Sequence, residues 1–474
     1  MLHAPEAENV SIPPLARDAA RERGVPLLGV LPDLLRDPPA FLSRVARAHP
    51  DELVAVRVGP RWIYLISRPA HLQHLLVDEA RNYSKGRMWD ATRELFGNGL
   101  LRSEGAFWFR QRRMMQPLFG AKHIASLVDV MVDVVDREVA RLSTLSGSPA
   151  PVDIGGSMTS LTQRVLLDTM FGSTISAEEA DSLGRQVVDA LRVINLKVFL
   201  FFLPDKFPLP GSARLRAAVQ AIDTAMLRVV GERRAHQERR NDLLSLLLYA
   251  RDDESQDGMD DRQLRDELVN LLVAGNDTTA NALTFFWYLL AAHPDVEHRV
   301  QAEVEQVLGD RRPTAEDIAR LSYTRMAFQE AMRLYPPVWM FPRFCVNDDI
   351  VGGFRIPAGS AVLVVPWLTH RDPQLWDDPD VFDPERFRPE RVLTRPKYAY
   401  FPFGGGPRQC IGNAFAMTEG PLIVARMLQT LRFRLISGYR LVPSSMSTLK
   451  PKGGLPMLIE KIGAAPNGVG GPRV

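Results

Sequence analysis

The chain has 474 residues, a formal net charge of +2 and two cysteines. This balanced charge argues against binding to nucleic acid or to a strongly charged substrate, and two cysteines are too few for a disulfide framework, which favours a reducing compartment. At roughly 150 residues per domain the length allows three domains, but the chain shows no linker, repeat or long low-complexity segment, so we expect one large domain.

The two ends of the chain differ in composition from the rest. Residues 1–20 and 463–474 are predicted to be disordered, and residues 21–462 to form the folded domain. The N-terminal segment lacks the apolar core of a signal peptide. The most apolar runs, 198–203 and 283–292, fall well short of the roughly 18–20 residues that cross a bilayer. We therefore expect a soluble, cytoplasmic monomer with no membrane span.

Short β-like runs flank a long helical region, which indicates a mainly α fold with a small β portion built from both ends of the chain. Residues 53–58 and 62–66, separated by Gly59-Pro60, predict a hairpin. Helical patterns dominate residues 105–330, and the predicted helices cover 123–142, 177–196, 213–237, 262–292 and 296–308. The later strand-like runs cover 338–346, 346–356 with a turn at Gly352-Gly353, 361–365, 432–436 and 455–459.

The predicted helix over 262–292 is apolar on most faces but carries Ala274-Gly-Asn-Asp-Thr-Thr279 at its middle. An acid and two hydroxyls inside a buried helix cost free energy unless they have partners, and a threonine can bond the carbonyl one turn back. Gly275 weakens the local hydrogen-bond ladder, so we expect a kinked helix with an open groove beside Ala274 and Thr278, which share one face. Such a groove could hold dioxygen and water. The alternative is a polar break in a core helix that is satisfied internally.

The segment from Phe403 to Cys410 reads Phe-Gly-Gly-Gly-Pro-Arg-Gln-Cys, and Gly412 follows. The glycines permit positive φ and close approach of the main chain, and Arg408 puts a positive charge near the sulfur. Such a setting favours the thiolate, the form of cysteine that binds metal. The alternative is a glycine-rich turn around a buried, inert cysteine. Cys345, in an apolar run, is expected to be such a packed thiol.

These two segments resemble the cytochrome P450 family. The loop fills every fixed position of Phe-x-x-Gly-x-Arg-x-Cys-x-Gly, and the helix fills Ala/Gly-Gly-x-Asp/Glu-Thr-Thr/Ser. The resemblance implies the cytochrome P450 fold and heme b, with Cys410 as the iron ligand. It further implies that Asp277 and Thr278 are catalytic and relay protons to the reacting dioxygen. Ala274, Phe403 and Gly412 would lie against the heme.

Three further elements fit the same family and extend the resemblance over roughly residues 45–460. Trp108 and Arg112 match a Trp-x-x-x-Arg element, and together with Arg343 and Arg408 they would bind the heme propionates. Each arginine could instead be a solvated surface charge. Glu330, Arg333 and Arg386 would form the family's buried charge network, a structural role. His370-Arg-Asp-Pro373 matches the segment that leads into Pro384-Glu-Arg-Phe387.

The resemblance implies a monooxygenase that activates O2 and hydroxylates or epoxidises a bulky hydrophobic small molecule. We favour a terpenoid or polyketide of secondary metabolism, with a fatty acid as a further option. Electrons would come from a separate ferredoxin or flavodoxin with an NAD(P)H reductase, and Arg110, Arg113 and Arg408 could form a basic docking face, unless the first two are merely solvated. The expected pocket includes residues 87–89, 198–202, 271, 274, 338–340 and 446–447.

Three rival functions fit parts of the sequence. A peroxygenase that uses hydrogen peroxide needs no proton-delivery pair, so the presence of both Asp277 and Thr278 argues against it. A heme-based gas sensor would bind oxygen without turnover. A helical binding protein with no heme would not need the complete cysteine loop.

Overall fold

The structure is a computed structural model of the chain, and it describes residues 16–50, 52–199, 210–236, 239–445 and 448–462. Most of these residues are helical, as the sequence predicts. The α-helices, in chain order, are α1 (Leu31–Arg36), α2 (Pro38–Ala48), α3 (Pro69–Gln73), α4 (Arg93–Phe96), α5 (Gly105–Met115), α6 (Ala121–Ser126), α7 (Val128–Ser143), α8 (Ile154–Phe171), α9 (Ala177–Phe199), α10 (Ser212–His236), α11 (Leu243–Tyr249), α12 (Asp261–Ala292), α13 (Pro294–Leu308), α14 (Ala315–Arg320), α15 (Ser322–Leu334), α16 (Pro366–Thr369), α17 (Pro389–Thr394) and α18 (Asn413–Leu428).

The β portion consists of short strands in four small sheets. The strands are β1 (Ala20–Glu22), β2 (Val54–Val58), β3 (Arg61–Ile66), β4 (Tyr83–Ser84), β5 (Val152–Asp153), β6 (Phe341–Cys345), β7 (Asp349–Val351), β8 (Phe354–Ile356), β9 (Ala361–Val364), β10 (Leu431–Leu435), β11 (Pro443–Ser445), β12 (Leu449–Pro451) and β13 (Pro456–Lys461). Their orders are β1-β2-β3-β9-β6-β4, β10-β13-β5, β11-β12 and β7-β8. The mainly α class with a small β portion is confirmed.

The chain forms two compact units. The first contains the segments up to Ala91, Val338–Val381 and Leu393–Cys410, and the second contains Thr92–Pro337, Phe382–Val392 and Ile411 onward. Both units are built from segments that are distant in sequence. Within the described residues, none of the helices has the length and apolar character needed to cross a membrane.

The first unit is organised around the six-stranded sheet. The predicted hairpin is present as β2 and β3, paired antiparallel from Val54↔Leu65 to Val58↔Arg61, with Gly59 at φ 58° in the turn. The turn at Gly352-Gly353 is also confirmed, since both residues have positive φ. In β6, Pro342 pairs with Leu363 of β9 on one side, whereas β4 reaches only Cys345 and Phe344 on the other. A residue without an N–H is tolerated there because the strand has a single neighbour at that point.

Two boundaries differ from the sequence predictions. Arg17 donates its backbone N–H to Gly353 at 2.9 Å and β1 begins at Ala20, so the described structure includes part of the segment over 1–20. Residues 1–15 and 463–474 lie outside the described residues. The helix predicted over 123–142 is two helices, because the chain turns at the fully buried Leu127 between α6 and α7.

The long helix α12 is the central element of the second unit and packs most extensively on α8. Its N-cap, Asp260, accepts a hydrogen bond from the Gln263 N–H at 2.7 Å. Its C-terminal half buries Phe285, Phe286 and Trp287 almost completely. Each such side chain contributes about 2–3 kcal/mol when it leaves water. The helix is continuous from Asp261 to Ala292, close to the predicted range.

The predicted charge network is present in the second unit. Arg333 on α15 donates to both oxygens of Glu330, at 2.6 and 2.7 Å, and both side chains are fully buried. The Arg386 guanidinium lies 3.3 Å from Glu330 Oε1, which also accepts from the Asp383 N–H at 3.0 Å. The network therefore joins α15 to the segment over 383–387.

Removing this carboxylate should destabilise the protein severely. In Glu330→Ala the Arg333 charge stays buried without its carboxylate, which costs about 3–5 kcal/mol. The exposed Arg228–Glu232 pair is the matched control, since Glu232→Ala should cost less than about 1 kcal/mol. Thermal unfolding midpoints of the two variants and the parent chain measure the difference. Equal shifts in both variants would contradict the assigned role.

Candidate active site

The cysteine loop of the first unit is closed by its own backbone. The Cys410 N–H donates to the Phe403 carbonyl at 2.9 Å, and the Gly404 N–H donates to Phe401 at 2.9 Å. A single 3-10 turn, Gly406–Arg408, lies between. Cys410 is exposed, whereas Cys345 is 2 % exposed. The alternative of a buried, inert cysteine thus fails for Cys410.

Glycine is required in this loop for steric reasons. Gly404 and Gly406 have φ of 69° and 64°. A Cβ on Gly406 would lie 1.7 Å from the Leu76 carbonyl oxygen, and one on Gly405 would lie 2.2 Å from the Tyr398 ring. Leu76 belongs to a single π-helical turn, His74–Asp78, which packs against the loop. The loop can therefore keep this shape only with glycine at these positions.

His370 is hydrogen-bonded to the segment that leads into the cysteine loop. The Phe401 N–H donates to His370 Nε2 at 3.0 Å, and the imidazole is fully buried. An accepting Nε2 requires a neutral imidazole protonated on Nδ1. The sequence around His370 does not indicate this partner, which lies 31 residues away in the chain.

Cys345 is the packed thiol that the sequence predicts. Its Sγ donates to the Asn347 carbonyl at 2.8 Å. Burial raises the pKa of this thiol to about 12, with Asp349 adding to the effect. Such a thiol does not form a thiolate at neutral pH, so Cys410 is the cysteine suited to bind metal.

The arginines proposed for the propionates belong to both units. In the first, Arg343 lies on β6, where its Nη1 donates to the Pro342 carbonyl at 2.8 Å, and Arg408 ends the 3-10 turn, half-buried. In the second, Trp108 and the half-buried Arg112 lie one turn apart on α5. The Trp108 indole is 3 % exposed and meets the Phe109 ring edge-on.

The middle of α12 has the predicted polar contacts. The Thr278 hydroxyl donates to the Ala274 carbonyl at 2.8 Å, one turn back, as expected. Ala274 is exposed although Val273 is buried, so one face of the helix is open at this point. The Asp277 carboxylate accepts a short hydrogen bond from the Thr448 hydroxyl, a contact not predicted from the sequence. No local pattern indicates a partner 171 residues away.

Glu419 on α18 is a buried acid beside the polar middle of α12. Glu419 is 1 % exposed, and its carboxyl interacts with Thr279 of α12. Burial raises the pKa of this carboxyl to about 8, partly offset by Thr279. A protonated carboxyl is therefore held beside the polar middle of α12 at neutral pH.

The first turns of α12 hold the loop that leads into α5. The Asn98 N–H donates to Asp266 at 2.7 Å, Leu100 to Glu267 at 2.8 Å and Leu101 to Asn270 at 2.9 Å. Burial raises the pKa of Glu267 to about 8, against the lowering effect of the Leu100 N–H. The backbone ahead of Trp108 and Arg112 is thus fixed by side chains of α12.

The suggested docking arginines have other partners. Arg113 donates to both oxygens of the buried Asp252, at 2.7 and 2.8 Å, and to Glu254 at 2.6 Å. Arg110 lies 3.5 Å from the same carboxylate and donates to the Gly258 carbonyl. Both guanidiniums hold the segment 252–258 in place, so neither is a merely solvated charge, and neither is available as a bare cation for an acidic partner. Among the expected pocket residues, 200–202 and 446–447 lie outside the described residues.

Comparisons with known proteins agree with this architecture and these motifs. The family model "Cytochrome P450" matches residues 20–457, which span both units. Cyclooctatin synthase of Streptomyces melanosporofaciens is 36% identical over 90% of this chain and 92% of its own length. Cyclooctat-9-en-7-ol 5-monooxygenase of the same species is 38% identical, over 87% and 89%, and pentalenene oxygenase of Streptomyces avermitilis is 30% identical, over 90% and 93%.

Solved structures give the same result. The crystal structure of the cytochrome P450DA heme domain has a TM-score of 0.87 and 25% sequence identity, and the match covers 94% of this chain and 98% of that one. The fold and the cysteine loop together define a heme-thiolate oxidoreductase. The chain belongs to the cytochrome P450 family, and its cofactor is heme b, as in other members.

The residues of the structure fit this cofactor. Heme iron needs one ligand from the protein on the thiolate side, and the cysteine loop presents one exposed sulfur. In the described part of the chain, no group of three His, Cys, Asp or Glu side chains could hold a bare metal ion instead. Guanidiniums suit the propionates because they donate to carboxylates in a fixed fork.

The buried Glu419 should make stability depend on pH. The pKa of Glu419 in the folded chain, about 8, lies above the usual 4.5. Its contribution to the free energy of unfolding is therefore complete below pH 4.5 and is lost as the pH rises from there through 8. Glu419→Gln should remove this loss, so its thermal midpoint should rise relative to the parent between pH 6 and pH 9. Part of the dependence should persist, because Glu267 has the same raised pKa.

Exposed Glu305 provides the control for this experiment. Glu305→Gln should follow the parent chain across the whole pH range. If Glu419→Gln also runs parallel to the parent, the carboxyl is not held in its protonated form.

Proposed function

We propose that this chain is a monooxygenase that uses O2 to hydroxylate or epoxidise a bulky hydrophobic small molecule, with a terpenoid as the favoured class. The observation that carries the proposal is the open face of α12 at Ala274, where Thr278 and Asp277 stand beside it. Two relatives with 38% and 30% identity are named for oxygenation of cyclooctat-9-en-7-ol and of pentalenene. These names support a terpenoid over the polyketide and fatty acid alternatives.

The role of the protein in the cofactor site is to hold and orient the heme. Cys410 supplies the thiolate ligand, and Trp108, Arg112, Arg343 and Arg408 supply donors for the two propionates. When bound, heme supplies the binding and reductive activation of O2, so that one oxygen atom enters the substrate and the other leaves as water with two electrons and two protons. Phe403 and Gly412 flank the ligand in sequence and pack against the same group.

Proton delivery is assigned to α12. The Thr278 hydroxyl donates to the Ala274 carbonyl, which leaves its lone pairs to accept a hydrogen bond from a water molecule on the open face. Asp277 is the adjacent carboxyl group, which takes up a proton from solvent and relays it to this water. A positioned acid and hydroxyl accelerate such a step by about 10²–10⁴-fold. The small Ala274 side chain leaves room for dioxygen and water.

The electrons are proposed to come from a separate ferredoxin or flavodoxin that is reduced by an NAD(P)H reductase. We place the enzyme in the cytoplasm as a monomer. Because Arg110 and Arg113 pair with Asp252, an acidic carrier would have to use other cations.

The first experiment is the spectrum of the dithionite-reduced protein with carbon monoxide. The parent chain should show the strongly red-shifted Soret peak of thiolate-ligated heme, and Cys410→Ala should lose it. Cys345→Ala is the matched control and should keep the peak, because that thiol is buried and protonated. A parent spectrum like that of a histidine-ligated heme would overturn the assignment of Cys410 and favour a gas sensor.

The same protein can report its substrate class. Pentalenene, cyclooctat-9-en-7-ol, a macrolide and palmitic acid are titrated into the ferric form while the Soret band is recorded. A larger shift with either terpenoid supports the favoured class, and a larger shift with the macrolide or the fatty acid replaces it.

Removing the Thr278 hydroxyl should uncouple NADPH oxidation from product formation. With a surrogate ferredoxin, its reductase and the terpenoid of the larger Soret shift, Thr278→Ala should lower product per NADPH about 10-fold and raise peroxide release. Thr284→Val is the control, since that hydroxyl bonds the Ala280 carbonyl on a buried face of the same helix. If peroxide alone drives the parent chain as fast as the reductase system, the enzyme is a peroxygenase.

A further inference from the structure

The Asp277 carboxylate has a partner from a distant part of the chain. The hydroxyl of Thr448, the residue just before β12, donates a short hydrogen bond to Asp277 Oδ2. Asn281, one turn further along α12, lies with its Nδ2 at 3.3 Å from the same hydroxyl oxygen. All three residues belong to the second unit. Two side chains of α12 therefore meet at one hydroxyl.

The direction of these hydrogen bonds is determined by chemistry. A hydroxyl has one hydrogen to donate, and the Thr448 hydroxyl donates it to Asp277 Oδ2. The Asn281 amide donates through its Nδ2, so the Thr448 hydroxyl accepts from Asn281 and gives its own hydrogen to Asp277. Each bond polarises the next in such a chain. Asp277 is thereby held through Oδ2. In the proposed mechanism its other oxygen, Oδ1, transfers the proton.

The backbone around Thr448 keeps the hydroxyl in place. The next residue, Leu449, is fully buried, and its N–H donates to the Pro337 carbonyl at 2.9 Å. Leu449 also pairs with Ser445 in the antiparallel β11-β12 ladder. The backbone at Thr448 is therefore held in place by its neighbour. If the Asp277 side chain changed its orientation, the Thr448 hydroxyl could not move with it.

We propose that Thr448 is a positioning residue for proton delivery, which holds Asp277 in the one orientation from which it serves Thr278. The inference rests on the proposed function, because it assigns a partner to the acid of that mechanism. Thr448 itself does not need to touch substrate or cofactor. Asn281 fixes the hydroxyl rotamer and is the second member of the device.

The test compares Thr448→Val, which keeps the shape and removes the hydroxyl, with Thr448→Ser, which restores it. With the surrogate ferredoxin system and the terpenoid chosen above, Thr448→Val should lower product per NADPH about 10-fold and increase the solvent isotope effect on NADPH-dependent product formation. Thr448→Ser should recover most of the coupling, and Thr284→Val should match the parent chain. Coupling in Thr448→Val equal to that of the parent would overturn the inference.

A second readout needs no turnover. In the infrared spectrum of the resting holoprotein labelled with ¹³C-aspartate, the carboxylate bands that vanish in Asp277→Asn identify this side chain. These bands should shift in Thr448→Val and stay in place in Thr448→Ser. Unshifted bands in Thr448→Val would show that the hydroxyl does not bond Asp277.

The two proposals can fail separately. If Asp277→Asn retains full coupling, the acid role in the proposed function fails. If Asp277→Asn is uncoupled while Thr448→Val is not, only the positioning role fails. A double variant no worse than Asp277→Asn alone supports the claim that Thr448 acts through Asp277, whereas additive losses contradict it.

Discussion

The contact between Gly406 and the Leu76 carbonyl is the constraint on which the cysteine loop depends. The main chain comes so close there that a side chain of any size would displace it. The loop must then turn through positive φ and close on itself, and this turn brings the Cys410 sulfur to the surface of its unit. The proposed binding of heme iron by Cys410 thus depends on a steric requirement of the backbone.

The polar middle of α12 shows how a buried helix can carry functional groups. Several polar groups at this point have a partner outside the helix ladder. The Asn276 backbone carbonyl accepts from Thr162 of α8, Glu419 of α18 is close enough to Thr279 for the two to interact, and Asp277 accepts from Thr448. The desolvation cost of these groups is offset by contacts from three other elements, and those contacts also set where the reactive groups point.

The sequence predicted the elements that depend on local pattern. Helix α12, the β2-β3 hairpin and the glycine requirement of the loop all follow from periodicity and backbone sterics within one segment. The partners of these groups could not be predicted, because Thr448, Glu419 and His370 are joined to them only by the folded chain. The ion pairs of Arg110 and Arg113 could not be predicted for the same reason. Nothing near Arg113 in sequence indicates that it pairs with Asp252.

The loop over 97–101 shows what such long-range contacts do to mechanics. Its amides are held by Asp266, Glu267 and Asn270, whose backbones belong to a helix that is buried along most of its length. A loop normally opens at little cost, but this one cannot leave without breaking three bonds to a rigid helix. In local-unfolding terms the loop and the first turns of α12 should open together, so motions that would admit the proposed substrate have to occur in other parts of the chain.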